Sequence, residues 1–322
     1  MKKLLVFLVL VAMTIALFAC ADTEAEKETI RIAGLKGPTS IGLVKVMKDN
    51  ADGKAANKYE FTIAGSADEI TPKLNKGELD MAAIPANLAS VLYNNTNGAI
   101  KVLAINTLGV LYIVEKGDTV KSVADLKGKT IYATGKGSTP EYTLRYILSK
   151  NGVDPDNDVT IEWQSEPTAV VPLLKANDNA IAMLPQPYVT VAQSNVEGLN
   201  IALNLTDEWG KIEGSGALVT GVLVARTEFV EKHPDAVKKM LNEYAASSEY
   251  VNANIDDAAA LVEEFDIFKA AIAKKAIPYC NIKVITGDEM RTSLSSYLAV
   301  LFEQNAKAVG GKLPDDAFYY VK

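Results

Sequence analysis

The chain has 322 residues, 48% of them hydrophobic, and its 40 acidic and 33 basic residues give a formal net charge of −7 at pH 7. This length is sufficient for two domains with cores of their own. The acidic balance and the lack of a basic stripe argue against nucleic acid as a partner. Because His233 is the only histidine, histidine-based zinc sites and Ser-His or Cys-His catalysis are not expected, and neither is a cofactor or a metal.

The N-terminal residues 1–19 read as a signal peptide. Lys2 and Lys3 precede an apolar run over residues 4–18 that is short for a membrane span. The run ends in Leu-Phe-Ala-Cys, which resembles a bacterial lipobox and implies lipidation of Cys20; a plain secretory signal cut nearby is the alternative. Residues 20–29 are polar and acidic, as in a flexible tether. The expected location is therefore extracytoplasmic, with lipid anchoring to the cell membrane.

Strand-like and helix-like runs alternate along the first part of the chain. Alternating or apolar runs predict strands at 29–34, 59–64 and 80–84. Helices are predicted at 41–48, at 66–77 behind the capping-box sequence Ser-Ala-Asp-Glu, and from Pro85 onward. Strands that alternate with helices in this way are typical of parallel sheets.

A second stretch of the chain repeats this order about 100 residues later. Strands are predicted at 130–134, 159–163 and 180–184, each followed by a helix-like run. Two similar α/β halves are the interpretation, and the ordinary strand-helix period of any α/β chain is the alternative. Landmarks at offsets of 99 to 101 residues support the repeat: Gly34 with Gly135, Ser66 with Ser165, Ala82 with Ala182, and Pro85 with Pro185.

Extended runs on either side of the second half indicate how the two halves are joined. The runs at 102–105 and 110–114 precede it and the run at 217–225 follows it, which predicts a two-stranded hinge. Residues 227–322 are mostly helical and, with no sheet of their own, are predicted to cover the first domain. The predicted fold is α/β with two domains and mixed sheets flanked by helices. Domain I comprises 30–110 and 220–322, and domain II comprises 111–219.

The loops that follow the predicted strands are candidates for a ligand site. Glycine allows close approach of a ligand to the backbone, and serine or threonine can cap the helix that follows. The first N–H groups of such a helix lack internal partners, and ligands of open α/β sheets bind beyond the strand ends. For any single loop, ordinary capping is the alternative. Lys36 and Lys136 occupy equivalent loops. The predicted ligand-binding residues are Pro38, Thr39, Ser40, Ser66, Ala86, Asn87, Asn106, Thr107, Ser138, Thr139 and Gln186.

Three segments resemble the substrate-binding proteins of ABC importers, in the branch for nitrate, sulfonate, taurine and thiamine precursors. They are residues 120–131 (VKSVADLKGKTI), 181–188 (IAMLPQPY) and 78–82 (ELDMA). The resemblance implies a type II periplasmic-binding-protein fold that closes around a small molecule in an interdomain cleft. It also implies delivery of that molecule to ABC permease and ATPase subunits, and a monomer that is not an enzyme.

Two further readings stay open. One is a ligand-sensing lipoprotein without transport, and the other is an enzyme on the same fold, of the dehydratase or pyrimidine synthase type. The export signal and the shortage of histidine argue against the enzyme. The chain has only four arginines, which are Arg31, Arg145, Arg226 and Arg291. A bidentate arginine clamp for a strong oxyanion is therefore not evident.

Overall fold

A computed structural model describes residues 27–212, 214 and 216–321. The predicted signal peptide, the lipidation residue Cys20 and most of the predicted tether at 20–29 lie outside these residues. Within the described part of the chain, no helix has both the length and the apolar character needed to cross a bilayer.

The described strands form two mixed sheets. In chain order they are β1 (Thr29–Leu35), β2 (Lys58–Ala64), β3 (Met81–Pro85), β4 (Ile100–Leu108), β5 (Leu111–Lys116), β6 (Thr130–Thr134), β7 (Thr160–Gln164), β8 (Ile181–Pro185), β9 (Leu199–Asn204), β10 (Val219–Arg226) and β11 (Ile282–Ile285). The first sheet has the order β11-β4-β10-β3-β1-β2, and the second has the order β7-β6-β8-β5-β9.

The two sheets share one topology. In the first, β1 pairs in parallel with β2 and β3, and β10 runs antiparallel to β3 and β4. In the second, β6 pairs in parallel with β7 and β8, and β5 runs antiparallel to β8 and β9. This equivalence gives the 100-residue offset a structural basis, and the predicted fold class is confirmed.

Thirteen α-helices within the described residues flank these sheets. They are α1 (Pro38–Ile41), α2 (Val44–Ala51), α3 (Thr71–Asn75), α4 (Ala86–Asn95), α5 (Thr139–Lys150), α6 (Val170–Ala176), α7 (Tyr188–Asn195), α8 (Leu205–Gly210), α9 (Thr227–Lys232), α10 (Pro234–Ala253), α11 (Ile255–Glu264), α12 (Ala270–Ala276) and α13 (Gly287–Gln304). Short 3₁₀ turns at Ala67–Glu69 and Pro167–Ala169 lead into α3 and α6, and another at Val123–Leu126 precedes β6.

The helix predicted at 41–48 is interrupted. The chain forms α1 and then α2, with Gly42 at the break. A Cβ atom on Gly42 would lie 3.0 Å from Ile282 Cγ2 and 3.3 Å from the ring of Tyr244. The turn therefore sits directly against the C-terminal part of the chain, a tertiary contact that the local sequence pattern does not contain.

The mostly helical segment 227–322 also contributes one strand to the first sheet, which the sequence did not predict. Residues Ile282–Ile285 pair with β4 at the edge of the first sheet, as β11. Four residues between helical segments give too short an alternation to be distinguished from a loop. The rest of this region is helical and covers the first sheet, and Cys280 is fully buried there, as a small apolar side chain would be.

The cores lie on both faces of each sheet. One face of the first sheet packs against helices α2, α10, α11 and α12 through residues such as Ile32, Leu223 and Tyr244. Its other face shares a continuous apolar cluster with one face of the second sheet. The backbone passes from β4 to β5 at residues 109–110 and returns to β10 after α8. At the first crossing, Asn281 Nδ2 donates a hydrogen bond to Gly109 O (2.5 Å).

Candidate functional site

A cavity of about 420 Å³ lies between the two sheets, where the parallel strands of both end. The loops after β1, β2, β3, β6, β7 and β8 all reach it, together with the crossing after β4 and the start of β10. This is the edge where open α/β sheets bind ligands. Its polar and glycine lining includes Thr39, Ser66, Thr107, Thr134, Ser138, Thr139, Gln164, Gln186, Thr220 and Gly221.

Most of the residues predicted to bind ligand are at this cavity. Seven line it: Pro38, Thr39, Ser66, Thr107, Ser138, Thr139 and Gln186. The remaining four, Ser40, Ala86, Asn87 and Asn106, are fully buried. Contact with ligand stays a prediction for all eleven, and the four buried residues are not part of the cavity lining.

The hydroxyls of the first loop serve the preceding strand and not the following helix. Thr39 Oγ1 and Ser40 Oγ both donate to Leu35 O, at 3.2 and 2.6 Å. Helix α1 has no side-chain cap, so the expectation that these residues cap it is wrong. The two bonds satisfy the last carbonyl of β1 and fix the loop at the cavity. Each hydroxyl oxygen keeps its acceptor capacity.

The equivalent loop of the second half is held by its own side chains. Ser138 Oγ donates to Gly135 O (2.8 Å), so it does not cap α5 either. The N–H of Gly137 donates to Glu141 Oε2 (2.7 Å). A carboxylate of the first helical turn thus lies at the positive end of the α5 dipole.

Asn87 and Thr139 bond to each other across the cleft. Thr139 Oγ1 donates to Asn87 Oδ1 (3.1 Å), and Asn87 Nδ2 donates to Gly137 O (3.4 Å) and Ala308 O (3.0 Å). The first sheet's α4 is therefore joined directly to the first residue of α5 and to the loop before it. The polar atoms of Asn87 are all occupied by protein partners.

Tyr188 makes a second bond across the cleft. Its hydroxyl donates to Lys36 O (3.3 Å), and its ring meets Phe268 edge to face at 5.2 Å. Burial raises the pKa of Tyr188 to about 12, so the hydroxyl stays protonated and remains a donor at neutral pH. Tyr188 and the Asn87–Thr139 pair thus both join the two halves at the cleft.

We expect Tyr188→Phe to shift the protein toward an arrangement with the sheets further apart. The ring contact is kept and one neutral hydrogen bond is lost, which is worth about 0.5–1.5 kcal/mol. Small-angle X-ray scattering of the free protein should show a larger radius of gyration. Tyr132→Phe is the control, because that hydroxyl bonds Asn177 on the outer surface of the second half. Identical scattering curves for Tyr188→Phe and wild type would contradict the expectation.

The cavity floor depends on Gly221, which sequence reasoning missed. This residue of β10 pairs with Thr107, and a Cβ atom there would lie 2.6 Å from Asn106 Oδ1 and 3.1 Å from Thr39 Cγ2. Glycine within an apolar strand is the available signal, since it marks a close approach. Behind it, both amide atoms of Asn106 are buried without a hydrogen-bond partner, as is the hydroxyl of Thr107.

Charged side chains at the cavity lie at its rim. Lys36, Asp68 and Lys136 are the charged residues of the described lining, and both lysines are exposed. His233 lies elsewhere, with Nδ1 3.1 Å from Glu28 Oε2 and its ring stacked on Phe229. Among the described residues, no cluster of three histidine, cysteine or acidic side chains is placed to hold a metal ion.

Comparison with known proteins identifies a matching family and a related sequence. A model of the NMT1-like family matches residues 25–263. A protein of Brucella abortus (strain 2308), whose designation as a binding protein is itself inferred, is 27% identical over 219 residues, or 67% of this chain and 64% of its own. The chain thus spans less than two thirds of that relative.

Solved structures share the fold. An ABC transporter protein from Parabacteroides distasonis has a TM-score of 0.75 at 23% identity, covering 92% of this chain and 100% of its own. The periplasmic aliphatic sulphonate binding protein SsuA of Escherichia coli has a TM-score of 0.72 at 17% identity, covering 91% and 92%. At these identities the likeness concerns the fold alone.

Proposed function

The chain belongs to the NMT1-like family, and from this premise we propose that it is a solute-binding protein which captures a small molecule in the cleft between its two sheets. The observation that carries the proposal is the 420 Å³ cavity, which is lined by loops from both sheets. A volume of this size suits a small organic ligand. Binding without chemistry is the proposed activity.

The two sheets and their helices are the proposed domains, with 30–110 and 220–322 as domain I and 111–219 as domain II. The chain crosses between the sheets near residues 109–110 and again before β10. Rotation about these two crossings would open and close the cleft. The bonds of Tyr188 and of Asn87 with Thr139 would form on closure, so ligand affinity includes the free energy of closing.

The proposed setting is extracytoplasmic. The lipobox-like sequence supports lipidation at Cys20 and anchoring to the cell membrane, and the family supports delivery of the solute to an ABC permease and its ATPase by a monomer. A ligand sensor without transport would use the same cleft. Deletion of the gene should abolish uptake of the bound solute if the protein serves a permease, and uptake should persist if it only senses.

A thermal-shift screen tests the binding function. Ligands that bind the folded state alone raise its melting temperature by mass action. Sulfonates, carboxylates, pyrimidines and vitamin precursors, each at millimolar concentration, form the screen. At least one solute should raise the melting temperature by several degrees, and isothermal calorimetry should then give one site per chain. A protein that responds to none of them would contradict the proposal.

We expect the double variant Thr39→Ala and Thr139→Ala to weaken affinity for the best solute of the screen by at least tenfold. Each threonine lines the cavity from a different half, and a neutral hydrogen bond contributes about 1 kcal/mol. Loss of the Thr139–Asn87 bond adds a cost to closing. Thr130→Ala with Thr160→Ala, at exposed positions of β6 and β7, is the matched control. Unchanged affinity in the first double variant would show that the site assignment is wrong.

A further inference from the structure

The inner cavity is lined by neutral groups. Its charged lining residues, Lys36, Asp68 and Lys136, lie at the rim, whereas the deeply buried polar lining consists of hydroxyls and one amide. Burial of a charge without a partner is far more costly than burial of a neutral polar group. The electrostatics of the inner end therefore suit an uncharged group of the solute.

The arginines are engaged elsewhere. Arg31 and Arg226 bond to Asp80, Arg145 bonds to Asp156 and Glu141, and Arg291 bonds to Asp316. None of the four belongs to the described lining of the cavity. The bidentate guanidinium contacts that hold a sulfonate or carboxylate are thus not supplied by this wall.

The longest helix that begins at the cavity does not offer a free anion site either. At the N-terminus of α5, Pro140 has no N–H group, and the N–H of Gly137 is bonded to the carboxylate of Glu141. That carboxylate already offsets the positive end of the helix dipole. An anionic solute placed there would face a like charge.

Gln186 points a free donor into the cavity. The side chain is 1% exposed, and its Oε1 accepts a hydrogen bond from Thr190 Oγ1 (2.9 Å). The Nε2 group makes no hydrogen bond to any described residue, and Gln186 lines the cavity. Thr107, which lines the cavity from β4 of the first sheet, also has a buried hydroxyl without a hydrogen-bond partner. Buried polar groups of this kind normally have partners.

We propose that the inner end of the cleft binds an uncharged hydrogen-bonding group of the solute, such as a carboxamide or hydroxyl, and that Gln186 donates its free amide N–H to that group. The proposal rests on the solute-binding function and specifies its ligand class. A sulfonate, nitrate or carboxylate is excluded from this end because it would enter a neutral wall without a counter-charge.

Matched pairs of probes that differ in charge test the ligand class. Benzamide and benzoate, benzenesulfonamide and benzenesulfonate, and propionamide and propionate are compared at pH 7 by thermal shift and calorimetry. The neutral member of each bound pair should bind at least tenfold more tightly. Tighter binding of the acids would overturn the neutral-ligand inference and leave the solute-binding function standing. A protein that binds none of the pairs, and no other neutral or charged solute of the screen, would overturn both.

Variants of Gln186 test the donor. Gln186→Glu should weaken binding of the tightest neutral probe at least tenfold, whereas Gln193→Glu, the same charge change at an exposed position of α7, should leave it within twofold. Gln186→Met keeps the length of the side chain without its hydrogen-bonding groups. It replaces Gln186→Glu as the test if the buried carboxylate of that variant prevents folding. A folded Gln186→Met protein with wild-type affinity for that probe would overturn the role of Gln186.

Discussion

Replacing Trp209 with alanine is expected to lower the free energy of unfolding by about 3–5 kcal/mol. The indole is 1% exposed and packs between two tyrosine rings, at centroid distances of 4.8 Å to Tyr146 and 5.5 Å to Tyr297. Its Nε1 donates to Gly216 O (3.1 Å). Alanine would leave a large cavity and a carbonyl without this donor.

Replacing Trp209 should affect more than its local packing, because the residue lies between the two halves. Tyr146 lies on α5 beside the second sheet, whereas Tyr297 lies on α13, which packs against β4 and β10 of the first sheet. The three rings therefore join the two halves through residues that do not line the cavity. We expect the two halves of the variant to unfold at separate temperatures.

Circular dichroism melts and urea titrations measure this effect without relying on tryptophan emission. Trp163→Ala is the matched control, because Trp163 is partly exposed on β7. This variant should lose about half as much unfolding free energy as Trp209→Ala. A Trp209→Ala protein with the melting temperature of wild type would show that the three rings do not couple the halves.

Asp80→Ala is expected to cost about 3 kcal/mol of unfolding free energy. The carboxylate is 3% exposed; it accepts bonds from the N–H and Nε of Arg31, at 3.0 and 2.9 Å, and from the Nη2 of Arg31 (2.6 Å) and Arg226 (3.3 Å). Removing one partner of a buried ion pair typically costs about 3–5 kcal/mol. The lower end applies because both guanidinium groups retain contact with water.

Urea titration at pH 7 measures this loss. Asp178→Ala is the control, since its ion pair with Lys116 involves a carboxylate that is 90% exposed, and an exposed pair contributes less than about 1 kcal/mol. Equal effects of the two substitutions would contradict the assignment of Asp80 as the central acceptor of this cluster.

The same carboxylate gives stability a dependence on pH. Burial alone would raise the pKa of Asp80, but the bonds and charge of Arg31, together with Arg226, outweigh burial and place the pKa below its ordinary value. Its contribution is thus fully present above the unfolded-state pKa of about 3.9 and is lost as pH falls through the lower folded-state pKa. Below pH 4, the stability difference between wild type and Asp80→Ala should shrink.

Local patterns predict most of the strands and the positions of the site loops. The strands of the repeated units are short, apolar or alternating, and are bounded by glycine, proline or capping residues, so their signals are local. The same loops bring Thr39, Ser138 and Gln186 to the cavity. The fold then follows from the order of strands and helices together with the repeat.

The features of the fold and site that could not be predicted from the sequence depend on pairing between distant residues. β11 becomes a strand because β4 offers it an edge, and Gly221 lies at the cavity because β10 inserts between β3 and β4. The bond between Asn87 and Thr139 joins residues 52 positions apart. Such contacts are set by how the two halves face each other, and no window of sequence contains that information.

The strand order also has a consequence for how the chain folds during its synthesis. The second sheet is built from the continuous stretch 111–204, whereas the first requires β10 at 219–226 to fill the place between β3 and β4. As the chain is synthesised from its N-terminus, the edges of β3 and β4 stay unpaired until more than a hundred further residues have been added. Unpaired strand edges promote aggregation, so a nascent chain arrested before residue 219 would depend on chaperones, while its second sheet is already complete.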